Sequence, residues 1–259
     1  MPLLTLNLLE NANSFTNEGL AKAILAEKDS GQWKFAIFSL VQAIELALKE
    51  KLRREHYALI YLDVDKHKNT VSLRQAAARL RKLADISIGE PDMDAIHKAV
   101  DWRNRIVHHE FNFSTDAAKS VFATLFGFLS DFYRIQFGES LAHQVGSDNW
   151  REAILITDYA ADLFRRAQLR LVDEGITEDM IWSCPQCGRN AFVIQDRIDT
   201  CYACTYQEYV EMCVDCKNYF FELDMDQVLV TRAGKDETEL LCRDCYDDWE
   251  EELHYYDDR

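Results

Sequence analysis

The stretch AIHKAVDWRNRIVHHEF (residues 95–111) has the spacing of an amphipathic helix with an arginine inside its apolar stripe. At about 100° per residue, the apolar side chains that share one side are Met93, Ile96, Val100, Val107 and Phe111. Arg103 falls on that side too, whereas Arg105 falls opposite. Burying an unpartnered guanidinium costs several kcal/mol, so Arg103 needs a carboxylate, a polar pocket or an interface.

The same period of three to four residues extends over residues 1–180 and predicts helices throughout. The predicted helices lie in residues 13–28, 33–52, 71–86, 93–111, 115–137 and 149–172. The helix over 33–52, WKFAIFSLVQAIELALKEKL, is apolar on nearly all sides, which predicts burial between neighbours or at a subunit interface. Five or six antiparallel helices joined by short turns indicate an all-α helical bundle.

The composition changes after Gly175, which predicts a helical domain over residues 1–175 and a second module over 176–259. All eight cysteines lie between residues 184 and 245. They stand among short segments with the alternation of strands, such as AFVIQD (191–196) and VLVTR (228–232). We therefore expect a small zinc-binding α+β module after the bundle.

The cysteines form four Cys-x-x-Cys pairs: Cys184 with Cys187, Cys201 with Cys204, Cys213 with Cys216, and Cys242 with Cys245. Two thiolates at this spacing fit one tetrahedral ion, so four pairs predict two complete four-cysteine shells, each holding a structural Zn2+. Four cysteines leave no open position for catalysis at either ion. Disulfides are disfavoured, because the N-terminal residues lack the features of a secretory signal.

The pairing of these motifs has two interpretations. The segment CPQCG…CYAC resembles a zinc ribbon, and LCRDCYDDWEEEL resembles the second knuckle of a treble-clef finger that opens a helix. This favours a sequential arrangement, in which the first two pairs share one ion and the last two share the other. An interleaved arrangement, first pair with third and second with fourth, is the alternative.

The net charge of −16 is distributed unevenly. Residues 181–259 carry 19 acidic and 7 basic side chains, so we expect the zinc module to contact a protein partner or its own helical domain rather than phosphate. Residues 49–105 carry 13 basic and 9 acidic side chains. Any RNA would approach through this segment, by Lys49, Lys51, Arg53, Arg54, Arg79, Arg81 and Lys82. Each of these cations, taken singly, is better explained as part of a solvated helix face.

No apolar run approaches the roughly 18–20 residues that a membrane span needs. Together with the N-terminal sequence MPLLTLNLLENANSF, this predicts a soluble, cytoplasmic protein that does not engage a membrane.

The hexapeptide RNRIVH (103–108) matches the R-x(4–6)-H signature, commonly R-N-x-x-x-H, of the HEPN superfamily. The likeness covers roughly residues 10–145, including NSFTNEGLAKAI, the long helix over 33–52 and the position of the motif near the end of a later helix. The resemblance implies a HEPN-like bundle that pairs two motif helices across a homodimer interface. It also implies metal-independent cleavage of an RNA substrate, in a toxin or antiviral-defence effector. The zinc module lies outside the resemblance, and we expect it to serve recognition or control by a protein partner or antitoxin.

Carried over residue by residue, the resemblance assigns the catalytic site to Arg103, Asn104 and His108, with Glu45 orienting Arg103. His109 also fits the looser spacing. Without the resemblance, Arg103 is explained by a core salt bridge to Glu45. The alternative function is a non-catalytic, HEPN-like adaptor or regulatory protein that uses its zinc module for protein–protein interaction.

Overall fold

The computed structural model describes residues 5–108, 114–155, 157–194, 199–232 and 235–249. The chain divides into two compact units, Met1–Arg166 and Ala167–Arg259. Helices fill most of the described residues up to Asp173, and the first β-strand begins at Ile181. The prediction of a helical region followed by a small α+β region is therefore confirmed, while the domain boundary at residue 175 stays a prediction.

The described helical region contains eight α-helices, most of which match predicted segments. They are α1 (Leu8–Ala26), α2 (Trp33–Glu55), α3 (Leu73–Leu83), α4 (Glu90–His108), α5 (Thr115–Phe132), α6 (Leu141–Gln144), α7 (Ser147–Leu155) and α8 (Thr157–Asp173). A π-helical turn, Tyr133–Phe137, extends α5 to the end of its predicted segment.

Side-chain caps explain why several of these helices begin where they do. Asn7 caps α1 and Ser72 caps α3 in capping boxes, in which the side chains of Glu10 and Gln75 accept a hydrogen bond from the cap residue's amide. Ser114 accepts a hydrogen bond from the backbone amide of Ala117 and so caps α5. These caps use amide groups that would otherwise lack an acceptor at the helix start.

Helix α2 is the centre of the first unit, as its uniformly apolar sequence predicts. It packs against α1, α3, α4 and α5. Trp33 of α2 is fully buried and contacts Phe122 of α5 edge to face, with ring centroids 5.7 Å apart. Gly19 of α1 faces the backbone of α2, and a Cβ atom at that position would lie in van der Waals contact with the carbonyl oxygen of Ala36 at 3.4 Å.

The helix predicted over residues 149–172 is helical in all of its described residues, as α7 and α8, and residue 156 between them lies outside the described residues. Their side chains make different contacts. Trp150 of α7 packs on Phe126 of α5 with centroids 5.3 Å apart, whereas Arg166 of α8 pairs with carboxylates of α4 and α5. Both parts of the segment therefore contact α5.

The second unit contains short antiparallel strands. Strands β1 (Ile181–Ser183), β2 (Asn190–Val193), β3 (Asp199–Cys201) and β4 (Gln207–Glu208) form one sheet in that order. Strands β5 (Val210–Met212) and β6 (Tyr219–Phe221) form a hairpin, and β7 (Met225–Arg232) and β8 (Lys235–Cys242) form another. Residues 243–249 are helical.

None of the helices in the described residues is both long enough and apolar enough to cross a membrane.

Candidate functional site

The eight cysteines gather into two groups of four. One group contains Cys184, Cys187, Cys201 and Cys204, and the other contains Cys213, Cys216, Cys242 and Cys245. Within each group all four sulfur atoms lie within 4.8 Å of one another. This is the sequential arrangement, and the interleaved alternative is not the one that the structure contains.

The spacing of the sulfur atoms fits a tetrahedral metal ion. The Sγ–Sγ distance is 3.5 Å between Cys184 and Cys204, and 3.8 Å between Cys187 and Cys201. In the second group, Cys216 and Cys242 are 3.9 Å apart. Tetrahedral Zn–S bonds of about 2.3 Å require sulfur atoms roughly 3.8 Å apart, much farther than the roughly 2.05 Å of a disulfide. Both groups could hold a metal ion such as zinc.

Three of the four pairs lie in turns of the same geometry. In each turn the carbonyl oxygen of the first cysteine accepts a hydrogen bond from the amide four residues later, at 2.8–3.1 Å. That later residue has a positive φ in every case: Gly188 at 67°, Thr205 at 61° and Lys217 at 63°. The fourth pair differs, because Cys242 ends β8 and Cys245 lies in the helical residues 243–249. The second group thus lies on a knuckle, a hairpin and a helical segment in that order.

The proximity of the sulfur atoms perturbs their ionisation. Hydrogen bonding with Cys184 lowers the pKa of the Cys187 thiol but raises the pKa of Cys204. Burial raises the pKa of Cys213, yet the backbone donors of Cys242, Asp215 and Cys216 outweigh it and lower that pKa to about 6. Four thiolates this close repel one another, so full ionisation of a group requires a bound cation.

Arg103 lies beside the carboxylate that the sequence proposed for it. Its Nη1 atom is 3.2 Å from Oε2 of Glu45, and the two side chains are 21% and 16% exposed. The other oxygen of Glu45 accepts a hydrogen bond from Nζ of Lys49 at 2.7 Å, and Lys49 also donates to Thr70 at 3.0 Å. Nε and Nη2 of Arg103 donate to Oδ1 of Asn104, at 3.4 and 3.2 Å. The guanidinium is therefore fixed from two sides.

His108 is the last residue of α4, and its side chain is exposed. Asn104 and His108 are four residues apart and so lie on the same face of the helix. The structure thus brings Arg103, Asn104 and Glu45 into contact and places His108 one turn beyond Asn104. His109 and Phe111 lie outside the described residues.

The predicted apolar stripe of α4 is covered over only part of its length. Ile96, Ala99 and Val100 are buried, because this part of the helix packs on α2 and α5. Val107 is 55% exposed, so the stripe is not covered at this end of α4. An apolar side chain is thus open to solvent beside His108.

Most cations of the basic segment have partners within the protein. Lys51 pairs with Glu55 at 2.7 Å, and Glu50 accepts hydrogen bonds from both Arg53 and Arg54. Two nitrogens of the Arg79 guanidinium donate to backbone carbonyls between Leu59 and Leu62. Arg81 and Lys82 are exposed. These contacts favour a structural role for most members of the segment.

One large charged cluster of the helical region was not predicted. Arg166 of α8 contacts three carboxylates: Asp162 at 2.6 Å, Asp92 of α4 at 2.7 Å and Asp131 of α5 at 3.2 Å. Burial lowers the pKa of Arg166, but its hydrogen bonds to Asp92 and Asp162 outweigh burial and raise it, so the guanidinium stays charged. A Cβ atom on Gly127 would collide with Arg166 and Asp162. A glycine inside a helical pattern is the sequence signal for such a close approach.

Comparisons with protein-family models, with curated proteins and with solved structures give no match to this chain. The likeness to the HEPN superfamily therefore rests on the motif and the helical pattern quoted above.

Proposed function

We propose that this protein is a metal-independent endoribonuclease of the HEPN type that acts as a homodimer in the cytoplasm. The observation that carries the proposal is the fixed position of Arg103, partly withdrawn from solvent between Glu45 and Asn104. An arginine oriented by a carboxylate, about one turn from an exposed histidine, is a suitable arrangement for phosphate chemistry.

In the proposed reaction, the ribose 2′-OH attacks the adjacent phosphorus and the bond from phosphorus to the 5′-oxygen breaks. The imidazole of His108 takes the proton of the 2′-OH, and the resulting imidazolium or water delivers a proton to the leaving 5′-oxygen. Arg103 stabilises the charge that develops on the phosphoryl oxygens, because its planar donors remain in place throughout the reaction. The products are a 2′,3′-cyclic phosphate and a 5′-OH.

The remaining residues of the proposed site, Glu45 and Asn104, position Arg103. Glu45 accepts from both Arg103 and Lys49, so its carboxylate directs the guanidinium without contacting RNA. Asn104 accepts from Arg103 through Oδ1, which leaves its amide nitrogen available as a donor to phosphate.

The proposed homodimer places two copies of α4 face to face. Val107 supports this arrangement, because it exposes apolar surface next to His108 on the last turn of the helix. A second copy covering Val107 would exclude water from the groove that contains Arg103. Charge interactions in such a groove are stronger than in open solvent.

We further propose that each cysteine group holds one structural Zn2+. Four thiolates close each coordination shell, so the ions stabilise the fold of the module and take no part in RNA cleavage. A protein partner or antitoxin acting on the zinc module would then control the nuclease from outside the site.

The test is cleavage of a pool of cellular RNAs by the purified protein in EDTA, with end-group analysis and with the zinc content of each sample measured. We expect cleavage to persist in EDTA and to fall by at least about 100-fold in His108→Ala and in Arg103→Ala. The matched controls are His97→Ala and Arg105→Ala, which remove the same side chains from other positions of α4. Cleavage that needs added divalent metal, or that is lost equally in the controls, would refute the proposal.

A non-catalytic adaptor is the second candidate. It is favoured by the ion pair of Arg103 with Glu45, which explains the motif arginine as a structural residue, and by the internal partners of most basic side chains. Under this proposal, Arg103→Ala keeps its cellular role whenever the chain stays folded. Growth measurements separate the two, since toxicity on expression that Arg103→Ala or His108→Ala relieves favours the enzyme.

A further inference from the structure

The unit Ala167–Arg259 contains a cavity of about 430 Å³. Its lining combines two aromatic rings, apolar side chains and two carboxylates. The lining residues are Asp179, Met180, Trp182, Ile194, Asp199, Val210 and Tyr219. The volume lies in the range of pockets that bind small molecules and single side chains. We refer to it as the Trp182 cavity.

The apolar part of the Trp182 cavity is rigidly supported. The ring of Trp182 packs edge to face on Phe221, with centroids 5.2 Å apart, and Phe221 packs on Phe192 at 5.1 Å. The backbone amide of Ile194 donates to the carbonyl oxygen of Met180 at 3.0 Å. Tyr219 is 58% exposed, so its ring forms part of the rim. The ring of Trp182 is therefore held in place by its neighbours, whereas the ring of Tyr219 is exposed to an incoming ligand.

The polar lining of the cavity includes two aspartates. Asp179 is exposed, whereas Asp199 is only 3% exposed. Asp179 precedes an acidic part of the sequence, because residues 181–259 contain 19 acidic and 7 basic side chains. A phosphate or carboxylate ligand would be repelled, and a cation would be attracted.

We propose that the Trp182 cavity binds a lysine or arginine side chain from a basic peptide of a partner protein. The cationic head would meet the carboxylate of Asp179 and the faces of Trp182 and Tyr219, which attract positive charge. The methylene stem would pack against Met180, Ile194 and Val210, as long cationic side chains do on apolar surface. This site is independent of the nuclease proposal, since it uses no residue of α2 or α4.

The experiment titrates the zinc-loaded full-length protein into two fluorescein-labelled peptides, GGRKRGG and GGQQQGG. We expect the basic peptide to bind and the neutral one not to. Asp179→Asn and Tyr219→Ala should each weaken binding at least about fivefold. The matched controls should change the affinity for the basic peptide less than about twofold. Glu211→Gln removes the same charge one residue from Val210, on the opposite face of β5, and Tyr209→Ala removes an exposed tyrosine outside the cavity.

Three results would overturn the assignment. One is no binding of the basic peptide at about 1 mM. Another is equal binding of both peptides, which would indicate apolar contact without charge recognition. The third is equal weakening by Glu211→Gln and Asp179→Asn, which would indicate general attraction to an acidic surface. None of these outcomes bears on RNA cleavage, so the two proposals fail or succeed separately.

Discussion

At the scale of single residues, Glu45 decides where the motif arginine points. Its two oxygens pair with different cations, Arg103 at 3.2 Å and Lys49 at 2.7 Å. A carboxylate shared in this way costs less to bury than an unpaired one, because each charge is compensated. The sequence named this pair from helical spacing, but it did not identify Lys49, which pairs with the other oxygen of Glu45 and also donates to Thr70.

Three of the cysteine pairs are followed by a residue with a positive φ, and substitutions at two of these positions should change the free energy of unfolding in opposite directions. Thr205 is a β-branched residue at φ 61°, so Thr205→Gly should raise the free energy of unfolding by about 0.5–1 kcal/mol. Gly188 occupies the same position at φ 67°, and a Cβ atom there meets nothing within 4 Å. Gly188→Ala should therefore lower stability by about 1 kcal/mol through the backbone alone. Zinc-loaded protein in urea titration measures both, and effects of the same sign would contradict this explanation.

The hydrogen bonds of Glu50 predict that the free energy of unfolding depends on pH. Burial raises its pKa, but hydrogen bonds from Arg53 and Arg54 outweigh burial and lower it below the ordinary value of 4.5. The folded protein thus holds this carboxylate ionised more strongly than the unfolded chain does. Its contribution is present above about pH 4.5 and is lost as the pH falls through the lower folded value.

Glu50→Gln should accordingly make the loss of stability between about pH 4.5 and pH 3 less steep than in the parent protein. Urea titrations across this range measure the slope. Glu55→Gln is the control, because Glu55 lies on the same helix and its side chain is 40% exposed. An unchanged slope in Glu50→Gln would contradict the role given to the two arginines.

At the scale of elements, Arg166 of α8 joins α4 and α5 through its aspartate partners. Arg166→Met would leave these partly buried carboxylates facing one another, and we expect it to lower the free energy of unfolding by about 2–3 kcal/mol. Arg165→Met is the matched control, with an expected effect below about 0.5 kcal/mol, because Arg165 is 56% exposed and pairs with Asp162 of its own helix. Thermal and urea unfolding measure both. Equal losses would show that Arg166 contributes no more than a surface pair.

The elements also show where the periodic spacing of apolar residues is sufficient to predict a helix. The helices predicted over 33–52 and 71–86 are present as Trp33–Glu55 and Leu73–Leu83, because caps and apolar spacing act within one turn of chain. The segment predicted over 149–172 is likewise helical in its described residues, as Ser147–Leu155 and Thr157–Asp173.

At the scale of the whole molecule, the two units differ in what holds them together. The first has a core of large apolar side chains, including Trp33, Phe122 and Phe126. In the second, one core cluster has four buried residues, which are Val228, Leu241 and two members of a cysteine group, Cys213 and Cys242. So small an apolar cluster implies that a metal ion contributes to folding of that part.

Metal removal should therefore unfold only one unit. Treatment with a thiol-blocking reagent and a chelator should release two zinc ions per chain, and amide-exchange protection should be lost in the cysteine-containing strands but kept in α2 and α5. A chain that ends after Glu208 should retain one ion, because its four cysteines form a complete group. Loss of both ions on that truncation, or protection that survives zinc release, would contradict the sequential grouping or the role of the metal.

The sequence by itself determined the change from helices to a cysteine-rich module, the positions of most helices and the need of Arg103 for a partner. Each of these follows from spacing within a few residues, where helix geometry and ligand chemistry act locally. Only the tertiary structure decided how the cysteine pairs combine, that Arg166 joins three helices, and that Trp182, Asp199 and Tyr219 line one cavity. These features join residues far apart in the chain, and their distances are set by packing rather than by sequence separation.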